Sequence, residues 1–127
     1  MAEAVVDTNI LVRIATGDLP DLARKAVVLI KAYKKHQIVL PESVFAEVVF
    51  VLSSKKNYKF TRVAVAASLL EILGIEQFAC DRELLEKSAQ LYGITKLDFV
   101  DCLVLAYAKL GRVAKLVSFD TELIKSS

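Results

Sequence analysis

The chain has 127 residues, of which 55% are hydrophobic, and a formal net charge of +2. This length fits a single domain over residues 1–127 and excludes two domains of ordinary size. No run approaches the roughly 18 to 20 consecutive apolar residues of a membrane-spanning helix, and the first residues lack the pattern of a signal peptide. We therefore expect a cytoplasmic protein that does not enter a membrane.

Histidine and cysteine are too scarce to build the commonest catalytic and metal centres. The chain has one histidine, His36, and two distant cysteines, Cys80 and Cys102, which we expect to be free buried thiols. A zinc site or a His-based catalytic triad needs several such groups close together. Any chemistry should therefore depend on carboxylates, hydroxyls or amines.

Taken in chain order, short apolar runs alternate with helical patterns. The apolar runs predict four buried strands at residues 4–6, 38–40, 75–78 and 114–118. The helical patterns predict helices over residues 8–15, 19–35, 41–53, 62–73, 82–92 and 98–111, followed by a last helical turn. Strands that alternate with helices, without a hairpin signal, predict an α/β domain with a parallel sheet. In such sheets ligands bind beyond the carboxyl ends of the strands.

Two aspartates follow predicted strands. Asp7 comes directly after the first strand, and Asp120 comes just after the fourth. Both are expected at the ligand-binding edge of the sheet. Aspartate is also a favoured helix N-cap, so capping alone would explain each of them equally well.

Glu47 interrupts the apolar face of the third helix. Val44 and Val51 lie one turn before and after it, and no other charge occurs between Val44 and Leu52. A buried ionised carboxylate without a partner costs several kcal/mol, so Glu47 should be paired, protonated or bound to a metal. A structural salt bridge to a lysine or arginine is the alternative.

Asp101 lies in a similar apolar setting in the sixth helix. Its neighbours at positions i−4, i+3, i+4 and i+7 are Leu97, Val104, Leu105 and Ala108. Asp98 precedes it by one turn on the same face, and two like charges at that spacing repel unless a cation lies between them. Asp98 could instead simply cap this helix.

Several carboxylates in unfavourable places have one economical explanation, which is that they converge on a shared divalent cation. Sites made of oxygen ligands alone suit Mg²⁺ or Mn²⁺, and such ions also hold substrate phosphates. A cation of this kind lowers the pKa of a bound water and stabilises an in-line displacement at phosphorus. The sequence thus favours cleavage of phosphodiester bonds.

Four segments of the chain resemble the PIN-domain family, and within it the toxin nucleases of the VapBC toxin–antitoxin type. They are residues 5–11 (VVDTNIL), 41–48 (PESVFAEV), 98–103 (DFVDCL) and 116–120 (LVSFD), and their order and spacing agree along the whole chain. The resemblance implies a three-layer α/β/α fold with a small parallel sheet. It also implies endonucleolytic cleavage of RNA that depends on Mg²⁺ or Mn²⁺.

The resemblance also assigns roles to individual residues. The catalytic and metal-binding acids of the family fall on Asp7, Glu47, Asp101 and Asp120, an auxiliary metal ligand falls on Asp98, and supporting positions fall on Thr8, Asn9 and Ser118. Ser118 stands where the family often has threonine, which keeps the hydroxyl. Toxins of this type form homodimers and are silenced by an antitoxin protein, so we expect both partners here.

A basic and aromatic stretch follows the third helix. It contains Lys55, Lys56, Tyr58, Lys59 and Arg62, which could hold RNA phosphates and stack a base. The alternative is a solvated loop that is anchored by its aromatic residues.

Other classes of protein share parts of this pattern. A phosphoacceptor receiver domain is also α/β, but it needs paired acids after the first strand, and here only Asp7 follows that strand. A degenerate PIN fold that serves as a binding scaffold would be expected to lose some of the four acids, and all four are present. A PIN nuclease that acts in RNA processing would have the same chemistry as a toxin and stays open.

Overall fold

The computed structural model describes residues 2–127. Its strands and helices are, in chain order, β1 Ala4–Val5, α1 Thr8–Thr16, α2 Pro20–Lys31, β2 Ile38–Val39, α3 Glu42–Ser53, α4 Arg62–Leu73, β3 Phe78–Ala79, α5 Arg82–Ile94, α6 Phe99–Lys109 and α7 Thr121–Ser126. Within residues 2–127, no helix has both the length and the apolar character needed to cross a bilayer.

The three strands form one parallel sheet in the order β1-β2-β3, with β1 at one edge. Ala4 pairs with Ile38, and Ile38 pairs in turn with Phe78. The ladder continues one residue further, because the N–H of Val6 donates to the carbonyl of Val39 at 3.1 Å. The sheet therefore fixes the chain up to the residue before Asp7. Helices cover this small sheet in a three-layer α/β/α arrangement, so the predicted fold class is confirmed.

The predicted fourth strand at residues 114–118 is wrong. Residues 113–119 make no backbone–backbone hydrogen bond within the described chain, and Val117 is 98% exposed. The sequence of this segment has the apolar, β-branched character of a strand, but a strand forms only where its N–H and C=O groups find a neighbouring strand. Here Arg112 binds Asp81 and Glu83 at the start of the segment, and the cap of α7 holds its end.

Two other predicted boundaries also move. The helix expected over residues 19–35 ends at Lys31, because a turn follows in which the N–H of Lys34 donates to the side-chain carbonyl of Gln37 at 2.8 Å. The strand expected at residues 75–78 becomes Phe78–Ala79, since the chain turns at Ile75, whose carbonyl accepts from the N–H of Phe78 at 3.2 Å. In both places a local turn uses N–H and C=O groups that would otherwise form the hydrogen bonds of the longer helix or strand.

Aromatic rings join the helices around the core. The ring centroids of Phe45 in α3 and Phe99 in α6 are 5.6 Å apart, and Tyr92 in α5 lies 6.2 Å from Phe99. Phe45 is fully buried, and Phe99 and Tyr92 are nearly so. Buried aromatic pairs of this kind contribute to packing beyond the area they bury. The first turn of α6, which carries Asp101, is therefore held firmly against α3 and α5.

The two cysteines are both free thiols in the described chain. Cys102 is buried, as expected, whereas Cys80 is only half-buried. Burial raises the pKa of both thiols, which makes them poor nucleophiles.

Candidate active site

Asp7 lies where the sequence places it, directly beyond the end of β1. Its Oδ1 accepts a hydrogen bond from the N–H of Ile10 at 3.2 Å, so Asp7 is the N-cap of α1. The side chain is exposed. The cap uses one carboxylate oxygen and leaves the other without a hydrogen-bond donor in the described chain. Capping and ligand binding are therefore compatible at this residue.

Glu47 lies beside Thr8, the residue that follows Asp7 in the sequence. The hydroxyl of Thr8 donates to Oε2 of Glu47 at 3.1 Å, which links the first turn of α1 to the second turn of α3. The expectation that Glu47 is buried is wrong, because its side chain is exposed. α3 has few charges, yet it presents an open face that also carries Phe50, which is 72% exposed. The apolar residues around Glu47 in the sequence therefore lie partly on this open face and partly in the core.

Asp98 and Asp101 begin α6. Asp98 is exposed and caps the helix, because its Oδ1 accepts from the N–H of Asp101 at 2.8 Å. Asp101 is half-buried within the first turn. The capping interpretation of Asp98 is thus confirmed, and this cap brings the two acids onto one end of the helix.

Asp120 begins α7. Its Oδ1 accepts from the N–H groups of Glu122 at 3.0 Å and Leu123 at 3.2 Å. The hydroxyl oxygen of Ser118 accepts from the N–H of Asp120 at 2.9 Å, so Ser118 supports the backbone of this acid. Asp120 is exposed, like Asp7 and Asp98. Three of the five acids are therefore helix caps.

The charges of two neighbouring acids act on Asp101 at the start of α6. Partial burial raises the pKa of the Asp101 carboxyl, and the negative charges of Asp98 and Asp120 raise it further. Asp120 is distant in sequence but close enough in space to act on Asp101. Like charges that are held together oppose ionisation, and a bound cation would relieve that repulsion. This is the electrostatic signature that the sequence predicts for a carboxylate site.

These interactions link the acids in two groups, which are Asp7 and Glu47 through Thr8, and Asp98 and Asp101 at the start of α6 with Asp120 at the start of α7. Among residues 2–127, no group of three or more acidic, histidine or cysteine side chains is close enough to hold a metal on its own. Mg²⁺ is commonly bound by only one or two carboxylates, with water and substrate phosphate as the other ligands. The oxygen-only donors present here fit such an ion.

The other residues that the sequence predicts to support the acids or to bind RNA lie on α1 and in the loop after α3. Asn9 is exposed on α1, and Lys55, Lys56 and Lys59 are exposed in the loop after α3. Tyr58 is half-buried, and its hydroxyl donates to Oδ2 of Asp18 at 2.9 Å, which ties this loop to the start of α2. The lysines are free to meet a ligand, whereas Tyr58 anchors the loop that carries them.

Arg62 makes contacts that the sequence did not indicate. Its guanidinium lies 3.8 Å from the centroid of the Tyr92 ring, and it donates to the backbone carbonyls of Tyr92 and Leu97. These partners are 30 and 35 residues away in the chain. The one available signal was a basic residue at the first position of an apolar helix, which is not enough to identify its partners.

Comparison with known proteins gives one family. The PIN domain family matches residues 4–126 of the chain. No curated protein and no solved structure matches it.

Proposed function

The chain belongs to the PIN-domain family, whose members are generally metal-dependent nucleases, and on that premise we propose that it is a Mg²⁺- or Mn²⁺-dependent endoribonuclease. One observation carries the proposal at the level of residues. The pKa of Asp101 is raised by burial and by the charges of Asp98 and Asp120, which a divalent cation would offset.

Each acid has a proposed role in binding the metal or in orienting the attacking water. Asp7 and Asp101 are the principal metal ligands, with Asp98 as an auxiliary ligand. Glu47 and Asp120 complete the site, directly or through waters, and orient the attacking water. When bound, the ion activates that water and offsets charge that develops on the scissile phosphate. Thr8 orients Glu47 through its 3.1 Å hydrogen bond, and Ser118 orients the backbone of Asp120. Asn9, exposed in the first turn of α1, is the third proposed supporting residue.

RNA is the proposed substrate, and the resemblance to VapC-type nucleases is the support for RNA over DNA. The exposed side chains of Lys55, Lys56 and Lys59 are suited to phosphate groups on either side of the cut. The ring of Tyr58 is also proposed to contact RNA, although its hydroxyl already binds Asp18. Arg62 is set apart from this group, because its donors bind the backbone carbonyls of Tyr92 and Leu97. Neutral variants of the three lysines should weaken RNA binding and reduce its dependence on salt.

We propose a cytoplasmic toxin of a toxin–antitoxin pair, with a cognate antitoxin protein as its inhibitor. The same chemistry would serve a nuclease of RNA processing, which is the second candidate. Cleavage at one or a few sites in a total RNA pool would favour a toxin, and a neighbouring short gene for a DNA-binding protein would strengthen that assignment. A binding scaffold without activity is disfavoured, because all four acids are retained.

A homodimer is also proposed. Exposed apolar side chains on the helices, such as Phe50 in α3 and Val100 in α6, support it, since unpartnered apolar surface on a small domain favours association. Sedimentation at micromolar concentration should give a dimer. A monomer under these conditions, without a partner, would contradict this part of the proposal.

The function is tested by incubating the purified protein with a total RNA pool and Mg²⁺, and mapping the 5′ and 3′ ends of the cuts. The control is Asp101→Asn prepared in the same way, which removes one charge and keeps the shape of the side chain. We expect cuts with the parent protein and none above background with the variant. Identical cuts from both proteins would mean that the activity comes from a contaminant or from another site.

A further inference from the structure

The connection between α5 and α6 decides where two of the acids lie. α5 ends where the N–H and the hydroxyl of Thr95 both bind the carbonyl of Leu91, at 3.0 and 2.8 Å. Only Lys96 and Leu97 separate Thr95 from Asp98. Asp98 then fixes the N–H of Asp101 by its cap. Any shift of the backbone at Leu97 would therefore move both carboxylates.

Arg62 holds this connection from the neighbouring helix. It is half-buried at the first position of α4, and its guanidinium covers the ring of Tyr92 at 3.8 Å. Its Nε donates to the carbonyl of Tyr92 at 2.9 Å, and a terminal nitrogen donates to the carbonyl of Leu97. One side chain thus joins the last turn of α5 to the residue that immediately precedes Asp98.

The chemistry of the guanidinium suits this position. Its donors lie in one rigid plane, so a single arginine can bind two carbonyls in different directions while its face lies on an aromatic ring. A lysine carries the same charge but has a single ammonium group, and it cannot reproduce both hydrogen bonds with the same geometry. Arg62 is therefore placed to fix a backbone path and not only to supply charge.

We propose that Arg62 is a positioning residue for the pair Asp98 and Asp101. By holding the Leu97 carbonyl it fixes the backbone that carries both carboxylates, so that both would be available to one cation, and it acts through the backbone alone. This inference rests on the proposed metal-dependent function. It also departs from a role for Arg62 in direct contact with RNA, because its hydrogen-bonding groups are directed at backbone carbonyls.

The test compares Arg62→Lys with Arg82→Lys. Arg82 is a matched control, since it is also half-buried and also donates to backbone carbonyls, those of Leu73, Ile75 and Phe78. Its partners lie around the end of α4 and the start of β3, not at the start of α6. Each variant loses a guanidinium that binds backbone carbonyls, but only Arg62→Lys loses it next to Asp98 and Asp101. Arg62→Gln serves as a second variant if Arg62→Lys does not fold.

The first readout is binding of Mn²⁺, measured by electron paramagnetic resonance on each folded protein without RNA. We expect Arg62→Lys to weaken Mn²⁺ binding by about 10-fold, the usual scale for loss of a group that orients metal ligands. Arg82→Lys should bind Mn²⁺ like the parent. The second readout is RNA cleavage, in which Arg62→Lys should lower kcat at limiting Mn²⁺, recover at high Mn²⁺ and leave the KM for RNA unchanged.

Two results would overturn the inference alone. They are unchanged Mn²⁺ affinity in Arg62→Lys and an equal loss of affinity in both variants. If the unchanged affinity came with a raised KM for RNA, Arg62 would contact RNA directly. A parent protein that binds no Mn²⁺ would instead overturn the proposed function, and this inference with it, so the two failures are distinguishable.

Discussion

The acids of the candidate site come from two regions that are built very differently. Asp98 and Asp101 stand on a helix whose start is fixed by buried aromatic rings and by Arg62. Asp120 follows a segment, residues 113–119, that has no backbone–backbone hydrogen bonds within the described chain and exposes Val117 and Phe119. The start of α6 is thus fixed by packed aromatic rings and backbone hydrogen bonds. The backbone that leads to Asp120 is held mainly at its ends, by the salt bridges of Arg112 and by the cap of α7. Apolar contacts with the core come from Leu116 in this segment and from Leu123 in α7.

The largest loss of turnover is expected from substitutions at Asp101, in the packed region, and at Asp7, at the end of β1. Asp101→Asn or Asp7→Asn should each lower the turnover of RNA cleavage by orders of magnitude and leave the fold intact, because each removes a charge from the proposed metal site but keeps the size of the side chain. Asp21→Asn is the control, since Asp21 is highly exposed and pairs only with Arg24 in the described chain. Circular dichroism checks the fold. Near-normal turnover of either variant would mean that the site lies elsewhere.

A smaller loss of turnover is expected from substitution of Asp120, which follows the open segment. Asp120→Asn should lower turnover less than Asp101→Asn, because we propose that Asp120 completes the site and that Asp101 is a principal ligand. Asparagine is as good an N-cap as aspartate, so this variant isolates the charge. Asp120→Ala removes the cap as well and should cost about 1 kcal/mol of stability in addition. An equal loss of turnover in Asp120→Asn and Asp101→Asn would show that Asp120 is a principal ligand like Asp101.

The third effect is on stability and depends on pH. In metal-free protein the raised pKa of Asp101 means that the folded state binds this proton more readily than the unfolded state. Its ionisation therefore lowers stability as pH rises from about 3.9, the ordinary value for aspartate, through the raised value in the fold. Asp101→Asn should be neutral or stabilising in EDTA above that range. Added Mg²⁺ should then raise the melting temperature of the parent more than that of the variant.

Asp81 supplies a control of opposite sign. The hydrogen bonds from Arg112 lower the pKa of Asp81, so its ionised form stabilises the fold, and that contribution is lost as pH falls through the lowered value. Asp81→Asn should therefore lower the melting temperature at neutral pH, with or without metal. A large drop in the melting temperature of Asp101→Asn in EDTA would show that Asp101 is a structural partner like Asp81.

Much of this arrangement could be predicted from local sequence. The caps at Asp7, Asp98 and Asp120 depend on residues two or three positions away, and the parallel sheet follows from the alternation of short strands and helices. The exposure of Glu47 could not be predicted, because helical periodicity gives a face but not what covers it. The open segment before Asp120 and the partners of Arg62 depend on contacts between distant parts of the chain, which local patterns do not contain.

The proposed function requires that these carboxylates hold a divalent cation on which RNA cleavage depends. It is tested most directly by measuring the initial rate of cleavage of one RNA by the parent protein in excess EDTA, and again after Mg²⁺ or Mn²⁺ is added back in excess of the chelator. We predict no cleavage in EDTA and recovery of the full rate with either ion. Cleavage that persists in excess EDTA would show that the reaction does not depend on a divalent cation.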